Sequence, residues 1–408
     1  MPLTQRQIYR RRRIAVFGGG GLVLATAFYL PMTLLAPLPE VDPSLVSYTA
    51  PALEQPLIDF PPYGASGLGA IGYEGVLAQA GATTPLPIAS ISKVVSALVV
   101  LDAHPLALGE SGPEVTMSAI DEAFYAEQIA QDGIVAPVRA GLVVSQRNML
   151  NMSLMASANN YAQSLAAWAF GSEAAYVEAA RSWLDRHGLT STTIGDATGI
   201  MPTNTSTVPD LIEIARLALA HPVIAEVVAT AAVDVPEIGT ILTRNRLLGI
   251  DGVDGIKTGT LDEAGSCLLF SADHMIGGET VTIIGVVLGG PSHDEINAAI
   301  RGILAQADAG FRQVTLASEG DVFGEYETPW GDAAAAVAES TTTAVIWAGT
   351  PIEAEVVVEP VRLAEAGTDV GDVTFTAGER AITVELDLSA TIDDPGAWWR
   401  LGNPARLF

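Results

Sequence analysis

The chain of 408 residues contains only two lysines, and both lie in short sequences typical of a reaction centre. Lys93 ends the sequence SISK at residues 90–93, and Lys257 begins the sequence KTG at residues 257–259. All other basic side chains are arginine or histidine. An amine can lose its proton and act as a base, whereas a guanidinium cannot. We infer that the fold must bring both amines to places where arginine would not serve.

The spacing of Ser90 and Lys93 predicts a serine activated by a lysine. If a helix begins here, the two side chains lie one turn apart on the same face. Serine is a poor nucleophile until a base takes its proton. Burial, or a second cation such as Lys257, can lower the pKa of a lysine enough for it to act as that base. The same spacing also occurs in a capping serine followed by a surface lysine, so this motif alone decides nothing.

A third short sequence lies between the two lysines. Ser157-Ala158-Asn159 offers a hydroxyl and an amide between two predicted helical stretches. The sequences S-x-x-K, S-x-N and K-T-G therefore follow one another, with 67 and then 100 residues between their first positions. The set S-x-x-K, S-D-N and K-T-G is typical of penicillin-interacting serine enzymes. Here alanine occupies the middle position of the second motif.

The chain resembles the low-molecular-weight penicillin-binding proteins, specifically the serine D-alanyl-D-alanine carboxypeptidases. The likeness covers about residues 63–310 and, more loosely, the C-terminal region. Besides the three motifs, it rests on SQRNML at 145–150, GLT at 188–190, DATGI at 196–200, TRN at 243–245, GIKTG at 255–259 and AG at 264–265. The resemblance implies an α+β fold of the penicillin-binding and β-lactamase-like transpeptidase type, in which helices flank an antiparallel sheet.

The resemblance also implies the catalytic roles. Ser90 would attack the penultimate D-alanine carbonyl, and Lys93 would be its base. Ser157 would relay protons. The backbone amides of Ser90 and Thr260 would form the oxyanion hole.

The remaining motif residues would bind the substrate. Asn159 would help relay protons and position the peptide, and Lys257 and Thr258 would hold the substrate side of the cleft. Gly259 would let the backbone of the ligand approach closely. Arg244 would meet the terminal carboxylate of the leaving D-alanine. No metal and no cofactor is expected.

The activity implied is removal of the terminal D-alanine of peptidoglycan stem peptides through an acyl-enzyme, with β-lactams as covalent inhibitors. A muropeptide D,D-endopeptidase and a β-lactamase-like hydrolase are alternatives. A class A β-lactamase needs a glutamate-bearing loop, and no convincing E-x-x-L-N sequence follows Ser157. A penicillin-binding wall module without catalytic activity is the third possibility, and the intact motif set argues against it.

The N-terminus predicts a membrane anchor. Five of the first thirteen residues are arginine, and residues 14–36 are uncharged and mostly apolar, which is long enough to span a bilayer. The arginines predict a cytoplasmic N-terminus at residues 1–13 and an extracytoplasmic catalytic domain. A cleaved signal peptide is the alternative, and Pro37 after the possible cleavage site Ala36 argues against it.

The rest of the chain divides into three further parts. Residues 37–62 are rich in proline and predict an extended tether. Residues 63–310 predict the serine peptidase domain, with strands at Cys267–Ser271 and Thr280–Leu288. Residues 314–408 predict an all-β domain, with the alanine run 333–336 expected as a loop or a short helix.

Several patterns exclude other functions. The net charge of −27 argues against nucleic-acid binding, which requires clustered cations. The sequence GLGAIG at 67–72 matches a dinucleotide motif, but no strand is predicted before it and no acidic residue lies about 20 positions later. The five histidines, including His293, lack the spacing of zinc ligands and are expected to be surface or partly buried polar residues. The sequence departs from the family at two places. The opening strand, expected at residues 70–77, is altered, and Leu261 stands where the family usually has a residue with a hydroxyl group.

Overall fold

The structure, a computed structural model, describes residues 4–408. Its helices are α1 (Gln5–Leu34), α2 (Ser92–Ala103), α3 (Ala119–Ala130), α4 (Gln146–Leu154), α5 (Asn159–Phe170), α6 (Glu173–Arg186), α7 (Val208–Ala220), α8 (Pro222–Ala229), α9 (His293–Gly310) and α10 (Gly396–Gly402). Single 3-10 turns occur at Ala89–Ile91 and Pro404–Arg406.

The strands are β1 (Ser44–Leu45), β2 (Ala65–Ala70), β3 (Ala78–Gly81), β4 (Leu86–Pro87), β5 (Glu114–Thr116), β6 (Val143–Ser145), β7 (Thr205–Ser206), β8 (Ala232–Val235), β9 (Gly239–Leu242), β10 (Val253–Leu261), β11 (Gly265–Ile276), β12 (Glu279–Gly290), β13 (Phe311–Ala317), β14 (Val322–Glu327), β15 (Ala333–Ala338), β16 (Thr342–Trp347), β17 (Ile352–Val358), β18 (Asp369–Ala377) and β19 (Arg380–Leu388).

The described chain forms two compact units. The larger unit comprises Leu53–Gln313 and Val345–Thr350, and the smaller unit comprises residues 4–52, Val314–Ala344 and Pro351–Phe408. All the motif residues belong to the larger unit. The predicted domain limits stay predictions, and the first three residues of the predicted cytoplasmic tail lie outside the described residues.

The larger unit is built on a five-stranded antiparallel sheet in the order β10-β11-β12-β2-β3. Leu268 and Phe270 of β11 belong to one core cluster with Ile300 of α9. Leu269, which points to the other face, belongs to a second cluster with residues of α2, α5, α7 and α8. Strands buried on both faces appear as continuous apolar runs in a sequence. For this reason β11 and β12 could be predicted.

Two glycines of β2 let α7 lie directly against the sheet. A Cβ on Gly67 would lie 2.4 Å from Val208 Cγ1, and a Cβ on Gly69 would lie 2.8 Å from Ile212 Cγ2. Larger side chains here would push the helix away. The opening strand is therefore β2, and its expected position at 70–77 is wrong because a turn follows Ala70. The glycine pattern that imitates a dinucleotide motif serves helix packing.

The smaller unit contains a six-stranded antiparallel sheet in the order β1-β14-β15-β19-β18-β17. The expectation of a loop or helix at the alanine run is wrong, because these residues form β15. Ala334, Ala336 and Ala338 are buried, and β15 has a paired strand on each side. Pairing on both edges overrides the weak strand preference of alanine.

The N-terminal helix α1 has 30 residues, and an 18-residue window within it has a mean hydropathy of 1.7. Within the described residues it alone is long and apolar enough to cross a membrane, judged by length and composition. After it, Ser44 and Leu45 pair with β14. Part of the proline-rich segment is therefore packed within the smaller unit and is not a free tether.

Candidate active site

Ser90 and Lys93 lie where the 3-10 turn Ala89–Ile91 runs into α2. Lys93 Nζ is 2.8 Å from Ser90 Oγ, in agreement with the contact predicted from their spacing. Ala89 has a φ of 46°, in the left-handed region that side chains disfavour. Gly199 packs on the turn so closely that a Cβ there would lie 1.9 Å from the oxygen of Ala89. A neighbouring loop therefore helps to hold Ser90 in a strained turn.

The amine of Lys93 is fully buried, and its surroundings control its charge. It donates hydrogen bonds to Asn159 Oδ1 at 2.7 Å and to the backbone oxygen of Thr198 at 2.6 Å. Burial lowers the pKa of Lys93 to about 7, although Asp196 acts in the opposite direction. When neutral, the amine can still donate to these two oxygens while its lone pair faces Ser90. It can then accept the proton of the Ser90 hydroxyl.

A buried aspartate shapes the loop that carries the Thr198 oxygen. The carboxylate of Asp196 accepts hydrogen bonds from the backbone N–H groups of Thr198 at 2.9 Å and Met201 at 3.0 Å, and from Asn204 Nδ2 at 3.0 Å. In the sequence, residues 196–200 had a family likeness but no predicted role. The available signal was an aspartate two residues before a threonine and three before a glycine, a spacing typical of side-chain-to-backbone turns.

A second serine–lysine pair involves the middle and last motifs. Ser157 lies between α4 and α5 with a φ of 61°, and its Oγ is 2.9 Å from Lys257 Nζ. Lys257 is also buried. Burial, followed by the charges of Lys93 and Arg244, lowers the pKa of Lys257 well below its usual value. The structure thus brings the three motifs together, because Asn159 of the middle motif also contacts Lys93.

The last motif lies on β10, which is an edge strand of the five-stranded sheet. A Cβ on Gly259 would lie 2.9 Å from the oxygen of Ile88 and 3.2 Å from Ala89 Cβ. Gly259 therefore permits a close approach to the turn carrying Ser90, and its expected role toward a ligand stays a prediction. This contact fixes the distance between β10 and the serine.

A cavity of about 260 Å³ opens where these segments meet. Its lining includes Ser90, Ser157, Arg244, Thr258, Gly259, Thr260 and His293. Lys93 and Lys257 lie behind it, each bonded to one of the lining serines. Asn159 lines an adjoining cavity of about 530 Å³ that shares Ser90 and Thr260. All the sequence-predicted site residues are thus gathered in one region of the larger unit.

His293 lies in the cavity wall, and no role was predicted for it from the sequence. It is the first residue of α9, and its Nε2 lies 2.7 Å from Thr260 Oγ1. Burial, followed by the charges of Arg244, Arg246 and Lys257, lowers the pKa of His293. A neutral ring beside Thr260 adds no positive charge to the cavity. Among residues 4–408, no group of three or more histidine, cysteine or acidic side chains could hold a metal ion.

Comparison with known proteins identifies the family. The model of the S11 peptidase family, described as D-alanyl-D-alanine carboxypeptidase, matches residues 73–292. A D-alanyl-D-alanine endopeptidase of Pseudomonas aeruginosa is 32% identical over 197 residues, which are 45% of this chain. The match spans only 58% of that relative's length.

Two solved structures share the fold. The Streptomyces K15 DD-transpeptidase has a TM-score of 0.54 and 25% identity, and the match covers 62% of this chain and 98% of that one. The peptidoglycan synthesis regulatory factor (PBP3) of Streptococcus pneumoniae has a TM-score of 0.61 at 21% identity, covering 81% of this chain and 99% of that one. The latter likeness concerns the fold alone.

These matches confirm the predicted fold class, a penicillin-binding transpeptidase-like arrangement of helices on an antiparallel sheet, accompanied by a C-terminal β-rich part and an apolar N-terminal helix. The family model covers all three motifs and more than half of the chain. The chain belongs to the S11 peptidase family of D-alanyl-D-alanine carboxypeptidases.

Proposed function

We propose that the protein is a serine-type D-alanyl-D-alanine carboxypeptidase that removes the terminal D-alanine of peptidoglycan stem peptides. The observation that carries this proposal is the buried amine of Lys93, which has a pKa of about 7 and lies 2.8 Å from Ser90 Oγ beside the cavity. A base with a pKa near the working pH is suited to proton transfer.

Acylation begins when Ser90 Oγ attacks the carbonyl carbon of the penultimate D-alanine and Lys93 takes the hydroxyl proton. The backbone N–H groups of Ser90 and Thr260 stabilise the developing oxyanion, and such donors contribute roughly 3–4 kcal/mol each. The C–N bond then breaks, and the leaving amine receives a proton by way of Ser157, which is bonded to Lys257. The products of this step are free D-alanine and an ester at Ser90.

Deacylation uses the same base. The proton that Lys93 took from Ser90 first replaces the one that Lys257 gave to the leaving amine, so that Lys93 is neutral again. Lys93 then takes a proton from a water molecule that attacks the ester carbonyl, and it gives this proton to Ser90 Oγ as the ester bond breaks. The shortened peptide departs with a new carboxylate. Asn159, Lys257 and Thr258 position the peptide throughout. β-Lactams would acylate Ser90 by the same attack and act as covalent inhibitors.

Arg244 is proposed to bind the carboxylate of the leaving residue. It is exposed at the wall of the cavity, where a carboxylate could form charge-assisted hydrogen bonds with its guanidinium. Its backbone N–H is hydrogen-bonded to the backbone oxygen of Met155, just before the middle motif. This bond keeps the residue close to Ser157.

A D,D-endopeptidase is the second candidate, because the relative from Pseudomonas aeruginosa carries that name. Both reactions would pass through a D-alanyl ester at Ser90 and would use the same two serine–lysine pairs. They differ in the leaving group, which is one amino acid in the first reaction and a second stem peptide in the other.

The proposed location is the cell membrane, with α1 as an uncleaved anchor. The arginines at positions 6 and 10–13 favour a cytoplasmic N-terminus. The rest of the chain would then lie on the extracytoplasmic side, where peptidoglycan is built.

Ser90→Ala is expected to abolish covalent labelling by a fluorescent penicillin, because Ser90 carries the hydroxyl that is hydrogen-bonded to Lys93. Labelling is measured on a gel, and the melting temperature reports the fold. Ser182→Ala, at an exposed serine of α6, is the matched control and should label normally. Persistent labelling of Ser90→Ala would refute the nucleophile.

The rate of penicillin acylation is expected to depend on the charge of Lys93. The neutral amine predominates above its pKa of about 7, so the rate should level off above this pH. It should fall about tenfold per pH unit well below it, because the protonated amine cannot act as a base. Lys93→Arg should lower the rate by about 10²–10⁴-fold. Arg181→Lys at an exposed site is the control. An active Lys93→Arg variant would contradict the role.

Mass spectrometry of muropeptides is expected to show which bond is cleaved. A pentapeptide muropeptide should lose one D-alanine, because the cavity is lined by the proposed machinery for that bond. A cross-linked dimer is incubated in parallel, with the Ser90→Ala protein as the blank. Cleavage of the dimer without loss of D-alanine would favour the endopeptidase. No change in either substrate would contradict both functions.

Arg244→Ala is expected to raise KM for a peptide with a free terminal carboxylate about tenfold or more, since a hydrogen bond to a charged group is lost. KM for the amidated peptide should change little. Arg186→Ala is the matched control, because that arginine is exposed at the end of α6 and paired with Asp102. An equal rise of KM for both peptides would contradict the proposal that Arg244 binds the terminal carboxylate.

A further inference from the structure

A line of buried side-chain amides leads from Lys93 away from the cavity. Asn159 Nδ2 donates to Gln128 Oε1 at 2.7 Å, and Gln128 Nε2 donates to Gln163 Oε1 at 2.9 Å. The three amide side chains are buried, with 5%, 1% and 4% of their surface exposed. We call Asn159, Gln128 and Gln163 the amide relay. No role was predicted from the sequence for the two glutamines, which lie 35 residues apart.

The relay ends on a carboxylate. Gln163 Nε2 donates to Glu173 Oε2 at 3.4 Å, and the other oxygen, Oε1, accepts the backbone N–H of Ala197 at 3.1 Å. Ala197 directly precedes Thr198, whose oxygen contacts Lys93. The two acceptors of Lys93 are therefore connected through a closed ring of hydrogen bonds that contains Glu173.

An ionised carboxylate only accepts hydrogen bonds, whereas a side-chain amide has one donating and one accepting end. Glu173 therefore requires Gln163 to present its nitrogen. Gln163 must then turn its oxygen to Gln128, and Gln128 must turn its oxygen to the nitrogen of Asn159. The oxygen of Asn159 is left facing Lys93, which is the orientation in the structure.

From this geometry we propose that Glu173 is a positioning residue, which sets the direction of the amide relay so that Asn159 presents an oxygen, and not an NH₂ group, to Lys93. The inference rests on the proposed function, because it concerns the base of that reaction. Glu173 itself touches neither Ser90 nor the cavity lining. It sets the direction of Asn159 through the relay, while its other oxygen accepts the backbone N–H of Ala197.

The charge state of Glu173 matters for this role. Burial raises its pKa, and Asp196 and Glu127 add to the rise, while hydrogen bonds from Ala197 and Gln163 lower it. Tyr176, which is fully buried nearby, is hydrogen-bonded to Ser96. The test is therefore made at alkaline pH, where both Glu173 is ionised and Lys93 is neutral.

Glu173→Gln has the same shape but a different pattern of donors. The N–H of Ala197 still needs an acceptor, so the oxygen of Gln at position 173 stays with it and its NH₂ group faces the nitrogen of Gln163. Two donors then meet. This repulsion between two donors is relieved when the side-chain amides of Gln163, Gln128 and Asn159 each exchange the positions of their oxygen and nitrogen. The NH₂ group of Asn159 then faces Lys93.

A second substitution can reverse this effect. In the double variant Glu173→Gln, Gln163→Glu, the carboxylate is moved one step along the relay. It accepts from the new amide at 173 and from Gln128 Nε2, so Gln128 and Asn159 keep their original directions. The double variant has the same composition and net charge as the wild type, whereas the single variant has lost a charge.

The experiment measures the rate of acylation by fluorescent penicillin, with the full chain in detergent. Glu173→Gln should be slower than wild type by about tenfold or more, since one hydrogen bond to the base is lost. Its melting temperature should stay close to that of the wild type. The double variant should recover the rate to within about threefold. Glu178→Gln, an exposed glutamate of the same helix, is the control and should behave as wild type.

Three results would overturn the inference. They are a wild-type rate in Glu173→Gln, a double variant as slow as the single one, and a large fall in melting temperature that explains the slow rate by loss of structure. Failure of the proposed function looks different, because the wild type itself would then remain unlabelled. Equal labelling of wild type and Glu173→Gln would remove this inference alone.

Discussion

Burial of the Lys93 amine is unfavourable while it carries a charge, and this cost underlies the proposed chemistry. An ammonium group loses its hydration in a protein interior, and its pKa falls until the neutral form competes. The contacts with Asn159 and Thr198 hold the amine in place, so the lost proton leaves a lone pair aimed at Ser90. A guanidinium in the same place would stay charged. This explains why the chain keeps lysine here while it uses arginine elsewhere.

The fold supplies each part of this environment from a different element. The 3-10 turn before α2 carries Ser90, the loop between α4 and α5 carries the middle motif, and the edge strand β10 carries Lys257. Gly259 lets β10 touch the turn at Ala89, and Gly199 lets the loop at residues 196–200 touch it from another side. Because the turn is packed from two sides, the distance between hydroxyl and amine is set by the surrounding backbone, and not by two flexible side chains alone.

The sequence allowed the three motifs, the family and the strands buried on both faces to be predicted, since these depend on spacing and on long apolar runs. It misplaced β2 and missed β15, because glycine and alanine are poor strand residues that become suitable only beside α7 or between paired strands. The links from Asn159 to Gln128, Gln163 and Glu173 could not be predicted. Polar pairs across distant helices leave no periodic signal, and only the folded chain shows which amide meets which carboxylate.

The two buried lysines also affect each other. The charge of Lys93 is one of the causes that lower the pKa of Lys257. In the proposed reaction, Lys93 gains a proton as Ser90 attacks, and the leaving amine near Ser157 then needs one. A new charge on Lys93 makes Lys257 the stronger acid, so proton uptake at one pair favours proton release at the other. An arginine at either position would impose a permanent charge and break this exchange. The presence of only two lysines, both in this site, thus has a common electrostatic reason.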